Sequence, residues 1–298
     1  MTAPREVFAR TAAALVEEDP RVAVVLAEIS RQYFPGAARR HPDRVVNVGI
    51  REQLLVSVGA GMALAGMVPI VHTFGSFLVE RAFEQVKLDF VHQGVDGVLV
   101  GAGGSYDMAG AGRTHQSPGD VALMDTLDVA IEAPATPADT EVALRRAVAA
   151  PGVHYVRVSE EVDTAAVASE PGRLTAVRRG SSGVVVVLGP GLDEVLAATR
   201  GLDTTVLHAT TVRPFDAAGL RAHVGDRADV VLVEPWLAGT SSRAVADALV
   251  DVPHRLLALG VDRTELRRYG TPQDHRRLHG LDAVGLRRSI TGFLHPSG

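Results

Sequence analysis

Short apolar runs alternate with helical stretches along the whole chain. The runs that read as strands are 22–26, 44–48, 68–72, 97–100, 129–132 and 155–158, and the stretches that read as helices lie near 7–18, 52–65, 76–92 and 139–149. Most of the strand runs are apolar at every position rather than at every second one. That is the pattern of strands covered on both faces, so the order predicts βαβ units and mostly parallel sheets. After Val158 the composition changes. Residues 159–183 are rich in charge, Ala, Ser and Gly, and read as a linker plus an edge element. A second series then follows: strand 184–188, helix 193–199, strand 205–207, strand 230–233, helix 241–249 and strand 255–258. The expected fold class is α/β. Two three-layer α/β/α domains are predicted, 1–172 and 173–298, with no internal repeat.

Composition narrows the chemistry more than the fold. A chain of 298 residues is long enough for two domains and buries roughly 75% of its unfolded surface without staples. There is no cysteine, which excludes disulfides, thiolate metal sites and a cysteine nucleophile. A net charge of -5 with interspersed signs argues against a nucleic-acid or polyanion partner. The longest apolar stretch, 54–71, is broken by Ser57, Gly59, Gly61, Gly66 and Pro69. It reads as a glycine-rich buried helix and a following strand rather than a bilayer span. Residues 1–6 lack the apolar core of a signal peptide, so a cytoplasmic protein is the default expectation.

The segment 46–86 is the most informative. It holds Gly49-Ile50-Arg51-Glu52-Gln53, then Thr73-Phe74-Gly75-Ser76-Phe77, then Arg81-Ala82-Phe83-Glu84-Gln85. Glu52 stands where a strand gives way to a helix, in almost wholly apolar surroundings. Desolvation there would raise a carboxyl pKa and suit it to proton exchange near neutral pH. The same residue also reads as a first-turn glutamate favoured by the helix dipole. Phe74 and Phe77 read equally as core aromatics.

Taken in order, G-I-R-E-Q, T-F-x-x-F, R-A-F-E-Q and the later Gly112-Arg113-Thr114-His115-Gln116 resemble the pyrimidine-binding domain of transketolases. Val212-Arg213-Pro214-Phe215-Asp216 and Val233-Glu234-Pro235-Trp236 with Gly239 resemble landmarks of the transketolase C-terminal domain. The whole chain is similar to the split transketolases, in which this portion is a separate polypeptide. The resemblance implies that Glu52 hydrogen-bonds N1′ of the aminopyrimidine of thiamine diphosphate and so activates the cofactor. It implies that Phe74 and Phe77 flank the pyrimidine, with Phe77 stacked on it, and that Ile50 lies on the cofactor side. It also implies that His115 faces the reacting atoms, with Arg81 and Gln116 on the substrate side. Glu28 stands where the family has an aspartate after the first strand, and reads as either a cofactor residue or a solvated strand end. The loop 101–112 is glycine-rich, as a wall close to a ligand often is.

Two absences shape the rest of the expectation. Transketolases hold the diphosphate through a metal ion on a G-D-G motif with an asparagine downstream. Here Gly119-Asp120-Val121 and Gly225-Asp226-Arg227 lack the second glycine. A separate partner subunit, holding Mg²⁺ (or Ca²⁺) in an α2β2 heterotetramer, is therefore implied. On the substrate side, Glu160 replaces a phosphate-binding arginine, Gly103 replaces a loop histidine, and Ala111 replaces an aspartate that meets the donor hydroxyl. A one-residue slip in the loop's alignment puts Asp107 in that aspartate's place. An arginine-to-glutamate change reverses the charge offered to a phosphate, so a non-standard substrate is expected for the two-carbon ketol (or acyl) transfer. The competing readings are a β-subunit of a 2-oxo-acid dehydrogenase, a pyruvate-using deoxyxylulose phosphate synthase-like enzyme, and a non-catalytic assembly subunit. In the second half, Trp236 reads as packing. His208, His223, His254, His275, His279 and His295 read as solvated or structural. The pairs Arg267-Arg268 and Arg276-Arg277 read as exposed helix faces.

Overall fold

The computed structural model describes residues 3–295 except 166, 168, 169 and 266. The strands are β1 (Val22–Leu26), β2 (Val45–Asn47), β3 (Val68–Phe74), β4 (Gly97–Ala102), β5 (Ala130–Glu132), β6 (Val153–Val158), β7 (Thr175–Arg178), β8 (Val184–Leu188), β9 (Thr205–Ala209), β10 (Thr211–Arg213), β11 (Ala228–Leu237) and β12 (His254–Val261). The α-helices are α1 (Pro4–Glu18), α2 (Pro35–Arg40), α3 (Glu52–Leu64), α4 (Phe83–Gln85), α5 (Asp120–Asp125), α6 (Pro137–Ala149), α7 (Leu192–Ala198), α8 (Ala217–Arg221), α9 (Ser242–Ala248), α10 (Pro272–Leu278) and α11 (Ala283–Leu294).

They form two sheets. The first runs β10-β5-β6-β4-β3-β1-β2 and the second β12-β11-β8-β9-β7. Each is parallel except at one edge, where β10 pairs antiparallel with β5 and β7 antiparallel with β9. The first sheet thus takes its outer strand from the second half of the chain.

Strand periodicity sorts the core. Val22, Val24 and Leu26 of β1 point to a cluster with Phe8, Ala12 and Val16 of α1 and Leu144 of α6. Val25 points the other way, to Leu55 and Val56 of α3 and Phe90. That second cluster continues into the second half through Val184, Leu188, Leu207 and Trp236. The far face of the second sheet packs on α7 and α11 through Leu192, Val195, Leu286 and Ile290.

Three sequence readings are corrected here. The helix within 52–65 is buried on one face only, because Leu54 and Leu64 stand exposed. The single helix expected over 76–92 is two π-helical segments, Ser76–Arg81 and Val86–His92, flanking α4. Such widened turns are concentrated at functional sites. Arg267 and Arg268 lie outside any helix. Arg276 is half-buried and bridges Glu161 and Glu194, the latter at 2.9 Å. No helix among the described residues is long and apolar enough to cross a membrane.

Candidate functional site

In open parallel sheets, ligands bind beyond the carboxyl ends of the strands. Leu26, Phe74, Ala102 and Val158 close the carboxyl ends of β1, β3, β4 and β6 on one side of the sheet, and the residues that follow them build the site. Glu52 opens α3 after the turn that leaves β2. It is 2% exposed, so its carboxylate needs a partner. Arg81 supplies one, with Nη1 donating to Oε2 at 2.8 Å. The almost wholly apolar surroundings expected for Glu52 are thus corrected, since a guanidinium that is 44% exposed lies against it.

The same guanidinium lies 4.1 Å from the centroid of the Phe77 ring. Phe77 meets His115 edge-on at 4.9 Å, and Phe74 meets both His115 at 5.4 Å and Phe77 at 6.0 Å. Glu52, Arg81, Phe77, Phe74 and His115 therefore form one continuous contact chain, although 63 positions separate its ends along the sequence. Thr114 Oγ1 lies 3.0 Å from His115 Nδ1, within hydrogen-bond reach of the ring. Arg81, expected toward the substrate, spends its charge on Glu52 and Phe77.

Glu28 and Ile50 stand beside this group. Glu28 has a left-handed backbone, φ +65°, uncommon for a residue with a long side chain. Its N–H donates to Asn47 Oδ1 and its Oε1 accepts from Asn47 Nδ2, both at 3.0 Å. Asn47 Oδ1 also accepts from Gly49 N–H at 3.3 Å. Glu28 thereby braces the turn that delivers Glu52. Ile50, on the same turn, is 71% exposed.

The loop after β4 explains the substrate-side departures in backbone terms. Gly103 has φ +76°, and a Cβ built there would lie 3.2 Å from Met108 Cγ. A histidine would be strained at that position. Ala111 is exposed at the end of a 3₁₀ turn. Asp107 Oδ2 accepts from the N–H groups of Gly104 at 2.8 Å and Glu160 at 2.7 Å, and burial pushes its pKa up to about 7. Asp107 is thus committed to holding the loop. Glu160 is exposed and pairs with Arg5 of α1 at 3.4 Å. Gln116 is buried and reaches the main-chain carbonyl of Arg268.

Beneath the loop lies a network that the sequence reading missed. Arg157 Nε donates to Asp120 Oδ2 at 2.8 Å, with both residues fully buried. Tyr155 OH donates to the same oxygen at 2.9 Å, and Arg157 Nη2 donates to Ser105 Oγ at 2.7 Å. Ser105 Oγ in turn donates to the Pro235 carbonyl of β11. The available signal was Arg157 itself, because a charge inside an apolar strand demands a buried partner. His275 and His279, read as solvated or structural, take the structural place. They stack on Tyr106 at 4.3 and 5.2 Å, and His275 is fully buried, so neither is simply solvated. Trp236 is packed as expected and donates from Nε1 to Glu234 at 2.9 Å.

Comparison with known proteins identifies the family. Residues 1–162 match the family described as transketolase, pyrimidine binding domain. A protein of Rhodococcoides fascians, described as an uncharacterized 33.6 kDa protein in the fasciation locus, is 47% identical over 96% of this chain and 93% of its own length. One of the subunits of the apulose-4-phosphate transketolase of Actinobacillus succinogenes is 28% identical, covering 88% of each chain. A solved split-gene transketolase, an inactive β4 tetramer, superimposes with a TM-score of 0.83 at 26% identity, covering 99% of both chains. The family match spans more than half of the residues and includes the stretch that carries Glu52, Phe77 and His115, so the chain belongs to the transketolase family through its pyrimidine-binding domain.

Proposed function

We propose that this chain is the pyrimidine-binding subunit of a split, thiamine-diphosphate-dependent transketolase-type enzyme. In this reading residues 1–172 carry the pyrimidine site and residues 173–298 form the C-terminal domain. The observation that carries the proposal is the buried carboxylate of Glu52 joined through Arg81 and Phe77 to His115 beyond the carboxyl ends of the strands. The donor set fits an aminopyrimidine. Glu52 Oε1 accepts no hydrogen bond from a described residue, leaving it for a ring nitrogen, and Phe77 offers an aromatic face for stacking. Bound there, thiamine diphosphate would supply the nucleophilic carbon for two-carbon ketol transfer.

The chain's own residues do the rest. Glu52 holds a proton at Oε1 against the ring nitrogen, and the dry setting strengthens that bond. Phe77 and Phe74 orient the ring and exclude water. His115 donates or accepts a proton at the reacting oxygen. The diphosphate and its metal ion fall to a partner subunit, in an α2β2 assembly. Two observations support this: the absence of a G-D-G motif from the sequence, and the likeness to a split-gene chain solved as an inactive tetramer. The isolated chain is expected to bind thiamine diphosphate weakly and to have no activity. Isothermal titration with Mg²⁺, with and without the partner, tests this, and tight binding by the chain alone would refute the split reading.

The substrate follows from the loop. With Glu160 in place of a phosphate-binding arginine, the pocket is read as taking a less phosphorylated or non-sugar substrate. Glu160→Arg is expected to raise kcat/KM for a pentulose phosphate by about tenfold, the order of one charge-assisted hydrogen bond. Losing the exposed pair with Arg5 should cost little, about 0–1 kcal/mol. Comparing the phosphorylated sugar with its unphosphorylated form in the reconstituted complex checks it. An unchanged ratio would remove Glu160 from the specificity argument.

A further inference from the structure

We infer that Arg81 is a positioning residue that sets both cofactor-facing groups of the pyrimidine pocket, an inference that rests on the function proposed above. Its guanidinium makes two contacts of different kinds. One is a charge-assisted hydrogen bond to Glu52 Oε2 at 2.8 Å; the other is a cation–π contact with Phe77 at 4.1 Å. A lone carboxylate on a helix's first turn can rotate among several orientations. Binding one of its oxygens to a fixed cation selects one, and leaves Oε1 to face the ring nitrogen with which it shares a proton. Phe77 likewise is held by the cation over its ring and by a T-shaped contact with His115, so its ring plane is set from two directions.

Arg81 is itself held at both ends. Gln53 Nε2 donates to the Arg81 carbonyl at 3.3 Å, so neighbouring residues of α3 grip its main chain and its side chain. The π-helical segment Ser76–Arg81 carries Phe77 and Arg81 together. Its widened turn brings the guanidinium back over the ring. The result is a brace between two elements, α3 and the π-helical segment, with the candidate acid–base group on one and the stacking ring on the other. This assigns Arg81 to the cofactor and away from the substrate.

The test compares Arg81→Met and Arg81→Lys in the complex with the diphosphate-binding subunit. For Arg81→Met, the Kd for thiamine diphosphate should rise, and kcat at saturating cofactor should fall, each on the order of 10- to 100-fold, as expected when a reacting group loses its orientation. The substrate KM should stay near wild type, while the melting temperature should fall because Glu52 loses its counter-charge, and Arg81→Lys should restore it. Arg81→Lys should recover most of both losses, because it keeps the cation. In the isolated chain, a ¹⁹F label on Phe77 should shift in Arg81→Met and return in Arg81→Lys, with no cofactor present. Unchanged Kd and kcat, an unmoved ¹⁹F signal, or a rise confined to substrate KM would each overturn the inference. So would tighter cofactor binding by Arg81→Met, which would make Arg81 an occupant of the ring's place. If the wild-type complex binds no thiamine diphosphate, the proposed function falls and the inference with it. Wild-type binding with an indifferent Arg81→Met variant sinks the inference alone.

Discussion

Glu52→Gln is expected to lower kcat of the reconstituted enzyme by about 10²–10⁴-fold, the usual worth of a positioned proton-transfer group. The larger figure is favoured because activation of the cofactor precedes every turnover. Glutamine keeps the volume of the side chain and an oxygen for Arg81, but it cannot carry a proton at Oε1. Cofactor affinity should therefore suffer less than rate, and the melting temperature should stay near wild type because Arg81 is half in solvent. Steady-state kinetics at saturating thiamine diphosphate, beside a titration for Kd, separates the two effects. Near wild-type turnover in Glu52→Gln would end the mechanism proposed for this site.

Asp120→Ala should destabilise the chain by about 3–5 kcal/mol, because it leaves the Arg157 guanidinium buried without its counter-charge. Arg157 is 1% exposed and Asp120 is wholly buried, so water cannot replace the lost partner. Adding Arg157→Met should recover much of the loss, since a well-packed apolar pair is often as stable as a buried ion pair. Urea unfolding of the single and double variants measures both. A single-variant loss below about 1 kcal/mol would show that the pair is solvated in solution. Because Arg157 also holds Ser105, and Ser105 holds the loop leading to His115, the folded single variant should turn over more slowly as well.

The sheets were legible because their central strands are short apolar runs that nothing else explains. Strands β7 and β10 were harder to read. They are only four and three residues long, contain Thr and Arg, and pair antiparallel at sheet edges. The position of Glu52 was legible from the motif around it. Its partner was not, because Arg81 lies 29 residues away and a through-space ion pair leaves no local pattern. The π-helical turns were hidden for a related reason. The apolar spacing over 76–92 fits a plain helix, and the widening depends on what packs against it. Gly103 shows the opposite case, in which a departure read as a change of substrate chemistry is also required by a left-handed backbone.

The borrowed strand β10 bears on how the chain is made. Synthesis delivers the chain from its N-terminus at about 5–20 residues per second, and domains generally fold as they emerge. Strand β6 is complete at Val158, yet the strand that covers the β5 edge ends only at Arg213. For several seconds on each ribosome, by that rate, the nascent first sheet has an unpaired row of N–H and C=O groups along β5. An open edge of this kind invites pairing with another chain. The interval is a window in which two chains growing side by side can meet through that edge before either has closed it.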